Sequence, residues 1–414
     1  MFTSRDIRGI YGKDITDEKL FALSSVLDRK SSQITLGMDY RSQNERILNA
    51  LIANYKGNVR YLGNIPTPVV AFLTNYLGIC ITASHNPPEY HGIKFFKPKR
   101  ILSNTELQNL RDEYSKLLKE LKFNGIPSRT RLQIEEDLIQ EYLSAIPEIK
   151  GGIFDLCGGA ACRFADLFPT TLFAKPDPTF QYHSAEPNDK TLETLKLATI
   201  RSEKVGYAFD GDADRVVVIA KGKLIPGDVL IAYIAEYYLK RRDKLILSFD
   251  CSQEVFNYIR DIGCYPIYAP VGQNLLIREA KKHNAAFIGE YSGHYSFVEF
   301  MFYSDPFYFV GQISETKPQE LLSFQAQFQN IIIREKIQGK VNYTALQKEL
   351  ERWTEHLVLI DGIKAILEDE DAAILIRHSQ SEPITRINVE GPNFQKAKAL
   401  FKTAKELVRK CTYL

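Results

Sequence analysis

A strand-like apolar run that ends in an acidic residue and leads into a helical stretch occurs three times in this sequence. The three runs are residues 34–39, 153–155 and 245–250, and each of them ends in aspartate. Alternation of short β-rich runs with longer helical periodicity is typical of α/β domains, in which ligands bind beyond the carboxyl ends of the strands. The pattern predicts repeated α/β units that share a cleft, although strand–aspartate pairs also occur in unrelated folds.

The last part of the sequence has a different pattern. Three short strand candidates, residues 357–360, 373–376 and 385–390, precede a helix that starts after Pro392. An apolar stripe along that helix indicates one face packed on a sheet and a solvated basic face. The stripe consists of Phe394, Ala397, Phe401, Ala404, Val408 and Cys411. We therefore predict a smaller α+β domain in this region.

Composition limits the class of partner. The chain has 414 residues, which favours two to four domains, and 53 Lys and Arg against 51 Asp and Glu give a net charge of only +2. Nucleic-acid or membrane-surface binding needs a stronger basic excess, so we expect neither. No run approaches the roughly 18 apolar residues of a membrane span, and no signal-peptide core follows Met1. The six cysteines lack zinc spacing, so we expect reduced thiols and a cytoplasmic protein.

The densest group of chemically useful residues is the segment ICITASHNPP, residues 79–88. A strand leads to Ser84 on a loop stiffened by two prolines, with His85 adjacent and Lys94 a short distance further on. A serine in such a place acts as a nucleophile or a covalent phosphate carrier when neighbouring groups neutralise charge and move protons. A polar turn between two strands, with Asn-Pro as its turn residues, is the alternative.

Three carboxylates at alternate positions, Asp210, Asp212 and Asp214, lie between two strand-like runs. Two such charges near 4 Å repel by about 4 kcal/mol at an effective dielectric constant of about 20 unless a cation lies between them. An EF-hand loop is excluded, because its sixth position is Arg215 rather than Gly and its twelfth is Lys221 rather than Glu. Hard oxygen ligands beside a phosphate favour Mg²⁺, and an acidic hairpin tip in water is the alternative.

The segment GEYSGH carries Glu290, Ser292 and His294 at alternate positions. In an extended backbone all three side chains project to one side. A carboxylate, a hydroxyl and an imidazole together suit the hydroxyl groups of a sugar. A hydrogen-bonded turn is the alternative.

Two arginines, Arg377 and Arg386, bracket a loop that carries Ser379, Gln380 and Ser381. Guanidinium forks and hydroxyl donors suit a dianionic phosphate, because charge-assisted hydrogen bonds are about twice as strong as neutral ones. A plain strand–turn–strand with surface charges is the alternative.

Taken together and in this order, these four segments resemble the α-D-phosphohexomutase family, of the phosphomannomutase/phosphoglucomutase type. The resemblance covers essentially the whole chain. Further segments that carry it are FTSRDIRG at residues 2–9, GMDYR at 37–41, GNIPTP at 63–68, PDPTF at 176–180 and EPN at 186–188.

The resemblance implies a fold of three similar α/β domains and a smaller C-terminal α+β domain around a central cleft. We place the domains at residues 1–147, 148–225, 226–333 and 334–414, which hold the serine, metal, sugar-binding and phosphate-binding loops respectively. The implied activity is intramolecular transfer of phosphate between C1 and C6 of mannose or glucose phosphate. Transfer would proceed through a phosphoserine and a hexose 1,6-bisphosphate, with Mg²⁺ as cofactor.

The resemblance also implies a role for each candidate residue. Ser84 would carry the phosphoryl group and, with Asp210, Asp212 and Asp214, hold the metal. The residues implied to line the transfer site are Arg8, His85, Lys94 and Arg215, of which Arg8 and Lys94 are the proton-transfer candidates. The residues implied to bind the sugar are Gln273, Glu290, Ser292 and His294. The residues implied to hold the non-reacting phosphate are Arg377, Ser379, Gln380, Ser381 and Arg386.

Several positions depart from the family's pattern and leave the choice of hexose open. They are Thr3, Arg5, His91, Gln273, Tyr291, residues 304–306, His378 and Ser381. None of them removes the serine or the three carboxylates. Glucosamine phosphate is the alternative substrate, and a sugar-phosphate-binding protein without turnover or a phosphatase are the alternative functions.

Overall fold

The structure is a computed structural model that describes residues 1–3, 5–126, 132–379 and 384–412. The chain divides into two compact units. Unit 1 comprises Met1–Ile225 and Ser292–Leu321, and unit 2 comprises Pro226–Tyr291 and Leu322–Leu414. Within the described ranges, no helix combines the length and the apolar character that crossing a bilayer requires.

The first sheet of unit 1 carries the serine loop. Its strands are β1 (Ile7–Ile10), β2 (Gln33–Met38), β3 (Asn58–Asn64), β4 (Leu77–Ile81), β5 (Tyr90–Lys97) and β6 (Arg100–Ile101). The helices beside it are α1 (Asp17–Lys30), α2 (Asn44–Ile52), α3 (Thr67–Leu73), α4 (Asn104–Glu120) and α5 (Glu136–Ala145). The strand order is β1-β5-β4-β2-β3 with β6 beside β5, and β2 runs parallel to both β3 and β4. The serine loop therefore starts at the carboxyl end of a buried parallel strand.

The second sheet of unit 1 carries the three carboxylates. Its strands are β7 (Ile153–Asp155), β8 (Thr171–Leu172), β9 (Gly206–Phe209), β10 (Val216–Ala220) and β11 (Lys223–Ile225), and its α-helix is α6 (Glu193–Ser202). The order is β11-β10-β9-β7-β8, with β7 parallel to β8 and β9. Strands β9 and β10 are antiparallel neighbours, so the carboxylates lie on the connection between them.

Unit 2 begins with a third α/β arrangement. Its elements are α7 (Gly227–Tyr238), β12 (Lys244–Ser248), α8 (Gln253–Asp261), β13 (Tyr265–Ala269), α9 (Gln273–His283) and β14 (Phe287–Gly289). Strand β12 lies between β13 and β14 and is parallel to both. The chain then returns to unit 1 and continues through β15 (Tyr295–Phe297), α10 (Pro306–Ile313) and α11 (Pro318–Gln325).

The three α/β arrangements share one topology. In each of them one strand lies in the middle of three parallel strands: β2 between β3 and β4, β7 between β8 and β9, and β12 between β13 and β14. The recurring aspartates Asp39, Asp155 and Asp250 end or closely follow these middle strands. The internal repetition indicated by the strand–aspartate pattern is therefore confirmed.

The C-terminal part of unit 2 is an antiparallel sheet with helices on one face. Its elements are β16 (Ile331–Gln338), α12 (Tyr343–Leu350), β17 (Leu357–Leu359), β18 (Ile363–Leu367), β19 (Ala372–His378), β20 (Ile384–Gly391) and α13 (Phe394–Cys411). The order is β16-β20-β19-β18-β17. Ile374, Ile376 and Val389 pack in one core with Leu346 of α12 and Val408 of α13. This arrangement confirms the smaller α+β domain.

Three details of the C-terminal prediction need correction. The prediction omits strands β16 and β18, although each contains a short apolar run, Ile331–Ile333 in β16 and Ala365–Leu367 in β18. The predicted junction at residues 333/334 falls inside β16, so we propose that it precedes Ile331. Phe394 was expected on the packed face of α13 but is 59% exposed, because it is the first residue of the helix and extends beyond the sheet contact. The junctions at residues 147 and 225 fall between elements and stay predictions.

Candidate active site

Ser84 lies on the loop between β4 and β5 in a strained backbone conformation. Its φ is 53°, which is uncommon for a residue other than glycine and often occurs at functional sites. The side chain is buried, and Oγ donates a hydrogen bond to Asp210 Oδ2 at 3.0 Å. His85 Nδ1 lies 3.3 Å from the same Oγ. The serine thus faces the carboxylates of the second sheet.

The three carboxylates between β9 and β10 form a buried cluster. Asp210, Asp212 and Asp214 are 0%, 0% and 1% exposed, and one ligand atom from each lies within 4.8 Å of the others. An acidic hairpin tip in water is therefore excluded. Asp212 Oδ1 is buried and accepts no hydrogen bond from the part of the chain that the structure describes. Buried acceptors without a donor cost free energy, so the cluster fits a divalent cation.

One cationic side chain already balances part of this charge. Lys94 Nζ donates to Asp212 Oδ2 at 2.6 Å and to Asp214 Oδ2 at 2.7 Å. Burial lowers the pKa of Lys94, but the two carboxylates outweigh it and raise the pKa above its usual value. Burial, then Asp212 and Asp214, raise the pKa of Asp210 to about 8. Lys94 is therefore an ammonium group in this arrangement, whereas burial and the two neighbouring carboxylates disfavour the charged form of Asp210.

Arg8 approaches the serine loop from β1. Its Nη1 donates to Ala83 O at 2.6 Å and to Asn86 Oδ1 at 2.9 Å, while Nε donates to Asp6 Oδ2 at 2.8 Å. The guanidinium is therefore fixed beside the serine loop by contacts on both sides.

Arg215 and His85 complete the group around Ser84. Arg215 Nε lies 3.9 Å from Asp210 Oδ2 and 3.3 Å from His294 Nε2. The positive charge of Arg215, together with burial and the charge of Arg8, lowers the pKa of His85. His85 is therefore neutral and is able to share a hydrogen bond with a hydroxyl.

Residues 291–293 of the GEYSGH segment form a turn, so of the two backbone conformations considered from the sequence the structure has the turn and not the extended one. Gly293 has a φ of 96°, and a Cβ on it would lie 2.6 Å from Val216 O. The turn therefore lets this glycine pack against the start of β10. It also places His294 Nε2 3.3 Å from Asp214 Oδ1, with His294 Nδ1 3.0 Å from Ser292 Oγ. Glu290 belongs to unit 2, where its Oε1 accepts from Gly272 N at 3.2 Å.

The two arginines of the C-terminal sheet are directly opposite each other. Arg377 on β19 pairs in register with Arg386 on β20, which in turn pairs with Lys336 on β16. Residues in register on adjacent strands project to the same face, and like charges placed this way destabilise a sheet unless an anion binds. Asp250 Oδ2 and Asp361 Oδ2 lie 3.6 and 3.5 Å from the Arg377 guanidinium, whose buried Nε has no partner among the described residues.

Lys336 is a candidate site residue that the sequence reasoning missed. Its signal was weak, because Arg334, Glu335 and Lys336 are three consecutive charged residues after Ile333 and only Ile337 restores an apolar position. Only the strand register shows that Lys336 lies on the face that carries Arg386 and Arg377.

Four predicted binding residues are still to be placed: Ser379, Gln273, Gln380 and Ser381. Ser379 is buried just after β19, and its N donates to Ile384 O at 2.9 Å. Gln273 is the first residue of α9, and its buried Oε1 accepts no hydrogen bond from the described ranges. Gln380 and Ser381 lie outside the described residues.

Two segments of the chain match family descriptions of known proteins. Residues 1–119 match "Phosphoglucomutase/phosphomannomutase, alpha/beta/alpha domain I". Residues 226–326 match "Phosphoglucomutase/phosphomannomutase, alpha/beta/alpha domain III". Together these matches include the serine loop and the GEYSGH segment.

Relatives and solved structures match over almost the whole length. A probable phosphoglucosamine mutase from Methanocella arvoryzae is 28% identical over 99% of this chain and 98% of its own. A phosphomannomutase from Methanocaldococcus jannaschii is 27% identical with the same coverage. The fold is that of a phosphoglucomutase/phosphomannomutase family protein from Burkholderia thailandensis, with a TM-score of 0.83 and 20% identity over 99% and 98% of the two chains. An N-acetylphosphoglucosamine mutase from Aspergillus fumigatus, solved with GlcNAc-6P and magnesium, has a TM-score of 0.61 and 13% identity over 100% and 96%.

Proposed function

Because this chain belongs to the phosphoglucomutase/phosphomannomutase family of α-D-phosphohexomutases, which are isomerases, we propose that it interconverts hexose 1-phosphates and 6-phosphates with Ser84 as the phosphoryl carrier. The observation that carries this proposal is the 3.0 Å hydrogen bond from Ser84 Oγ to Asp210 in a buried cluster of three carboxylates. Mannose or glucose phosphate is the proposed substrate.

Mg²⁺ is the proposed cofactor, and the residues around Ser84 fit it. Asp210, Asp212 and Asp214 would hold the ion together with Ser84, since their ligand atoms lie in one buried cluster and Asp212 Oδ1 has no hydrogen-bond donor in the described ranges. When bound, the ion supplies positive charge that stabilises the phosphoryl group during transfer.

The side chains around Ser84 suit phosphoryl transfer. A phosphoserine carries about −1.5 to −2 charges, which Arg8 and Arg215 help to offset. Both guanidinium groups are held by hydrogen bonds, so they do not need to reorganise during the reaction. Arg8 and Lys94 stay our candidates for proton transfer. In this arrangement Lys94 is an ammonium group that donates hydrogen bonds to Asp212 and Asp214. It is able to transfer a proton to the substrate only when these contacts change.

The non-reacting phosphate is proposed to bind the basic row of Lys336, Arg386 and Arg377. One such site serves both orientations of the bisphosphate, because the 1- and 6-phosphates exchange places between the two transfer steps. The orphaned Nε of Arg377 is a donor that a phosphate oxygen would satisfy.

Arg377→Ala is expected to raise KM for the hexose phosphate by about tenfold or more and to leave kcat within about threefold, because it removes a contact made equally before and during transfer. Steady-state kinetics with thermal unfolding as a fold check measures this. Arg352→Ala, which removes an exposed arginine on the same part of the chain, is the control. A large fall in kcat at unchanged KM would contradict the assigned role.

Glucosamine phosphate stays the second candidate substrate, and one feature of unit 2 favours it. Asp361 Oδ2 and Glu290 Oε1 accept hydrogen bonds from the consecutive backbone amides of Val271 and Gly272. Asp250 lies on the other side of Arg377. Three carboxylates in this region complement the ammonium group of an amino sugar. Several relatives are also named phosphoglucosamine mutase.

A side-by-side assay of mannose, glucose and glucosamine 1-phosphates, each with Mg²⁺ and a bisphosphate activator, tests the substrate. We expect the highest kcat/KM with mannose or glucose 1-phosphate. A preference of tenfold or more for glucosamine 1-phosphate, about 1.4 kcal/mol in transition-state binding, would support the second candidate instead. Isomerisation of none of the three would favour a binding protein without turnover, and rapid release of inorganic phosphate would favour a phosphatase.

A further inference from the structure

Arg41 makes an unusually complete set of hydrogen bonds to the serine loop. A guanidinium group has five N–H donors, and Arg41 uses one toward Asp39 and four toward backbone carbonyl groups. Its Nε donates to Asp39 Oδ2 at 3.2 Å. The four carbonyl oxygens are those of Ser84 (2.8 Å), Asn86 (2.6 Å), Pro87 (2.6 Å) and Tyr90 (3.0 Å). The side chains of Arg41 and Asp39 are both 0% exposed, so the contacts form without competition from water.

Asp39 anchors the same loop from the amide side of Ser84. Thr82 Oγ1 donates to Asp39 Oδ2 at 2.6 Å and accepts from Ser84 N at 2.8 Å. Ser84 O accepts from Arg41 at 2.8 Å. The buried Arg41–Asp39 ion pair therefore holds Ser84 O directly and Ser84 N through the Thr82 hydroxyl. Such bonds from two sides are what keeps a residue other than glycine at a φ of 53°.

Phe180 and the loop that carries the three carboxylates, residues 210–214, pack against Arg41 and Ser84. The Arg41 guanidinium lies over the Phe180 ring, 5.0 Å from its centroid. A Cβ on Gly211 would lie 2.6 Å from Ser84 O and 3.2 Å from the Phe180 ring. Ser84 O is thus enclosed between Arg41 and the backbone of the loop that carries the carboxylates. A shift of Arg41 would move the serine relative to those carboxylates.

We propose that Arg41 is a positioning residue that fixes Ser84 in line for phosphoryl transfer. It does not touch the reacting atoms, so it acts through the backbone of the serine loop. The inference rests on the proposed role of Ser84 as phosphoryl carrier. Lysine keeps the charge but has three donors, so Arg41→Lys leaves at least two of the five hydrogen bonds unmade and frees the loop.

The test compares Arg41→Lys with Arg60→Lys. Arg60 is also a buried arginine of unit 1 that donates to a backbone carbonyl, that of Leu73 at 3.0 Å, but it does not contact the serine loop. We expect Arg41→Lys to lose about 100-fold in kcat with KM within about threefold, since a misplacement of about 1 Å is enough for such a loss. Arg60→Lys should keep kcat within about threefold of the wild type, even if its unfolding temperature falls by as much as that of Arg41→Lys.

Two results would overturn the proposal: Arg41→Lys with kcat near wild type, or Arg60→Lys with an equal loss of kcat at equal stability. If Arg41→Lys is not recovered folded, Asp39→Asn takes its place, because it keeps the side-chain size and removes the charge that orients Arg41. A folded Asp39→Asn with wild-type kcat would equally overturn it.

A second readout separates this inference from the proposed function. Uptake of one phosphoryl group from a hexose 1,6-bisphosphate adds about 80 Da to the protein. If the wild type isomerises no hexose phosphate, the proposed function fails, and the uptake rate then tests Arg41. Uptake that is slowed about tenfold or more in Arg41→Lys alone supports its positioning role, and equal uptake in all three proteins refutes it.

Discussion

Ser84→Ala is expected to reduce isomerisation by at least about 1000-fold, because it removes the hydroxyl oxygen that we propose carries the phosphoryl group. The substitution removes only the hydroxyl oxygen and its hydrogen bond to Asp210. The packing around the residue is otherwise unchanged. We therefore expect a folded protein. A coupled assay measures turnover, and intact mass should show that the species about 80 Da heavier is absent from the variant.

Ser115→Ala serves as the matched control for this prediction. Ser115 is exposed on α4, where its Oγ donates to Arg111 O, so its loss should change neither turnover nor the mass shift. Isomerisation by Ser84→Ala within tenfold of wild type would contradict the role of Ser84. A heavier species that persists in this variant would place the phosphoryl group on another residue.

Asp212→Ala is expected to abolish turnover while leaving the fold intact. The substitution removes one of three mutually repelling carboxylates and the partner of Lys94 and Thr67. Relief of repulsion offsets part of the lost hydrogen bonding, so the unfolding temperature without metal should change little. The response to Mg²⁺ should be lost, because a ligand that binds the native state stabilises it in proportion to RT ln(1 + [L]/Kd).

Thermal unfolding with and without Mg²⁺, alongside the kinetic assay, measures both effects. Asp166→Ala, which changes an exposed aspartate of the second sheet's domain, should keep the Mg²⁺ response and the activity of the wild type. Full activity of Asp212→Ala, or an unchanged Mg²⁺ response, would refute the assignment of the metal site.

The parts of the structure that depend on local sequence were predictable. The serine loop follows a buried strand, and Asp210, Asp212 and Asp214 lie between two strands, because apolar runs and turn residues determine these features within about ten residues. The alternation of strand and helix likewise revealed the repeated α/β topology. Such patterns need no knowledge of distant contacts.

The parts that depend on distant contacts were not predictable. Lys336 joins Arg377 through the register of three strands, which no local pattern of residues reveals. The turn at Gly293 results from close packing on Val216, far away in the sequence. Four of the five hydrogen bonds of Arg41 reach a loop more than forty residues away. In each case a tertiary contact decided the position of a polar side chain.

The proposal that this enzyme moves phosphate within one hexose is tested most directly by ³¹P NMR of the wild-type protein with Mg²⁺, a trace of hexose 1,6-bisphosphate and the preferred hexose 1-phosphate. The 1-phosphate signal should decay into a 6-phosphate signal while their sum stays constant and no inorganic phosphate accumulates. Growth of the inorganic phosphate signal at the expense of the sum, or an unchanged 1-phosphate signal, would contradict it.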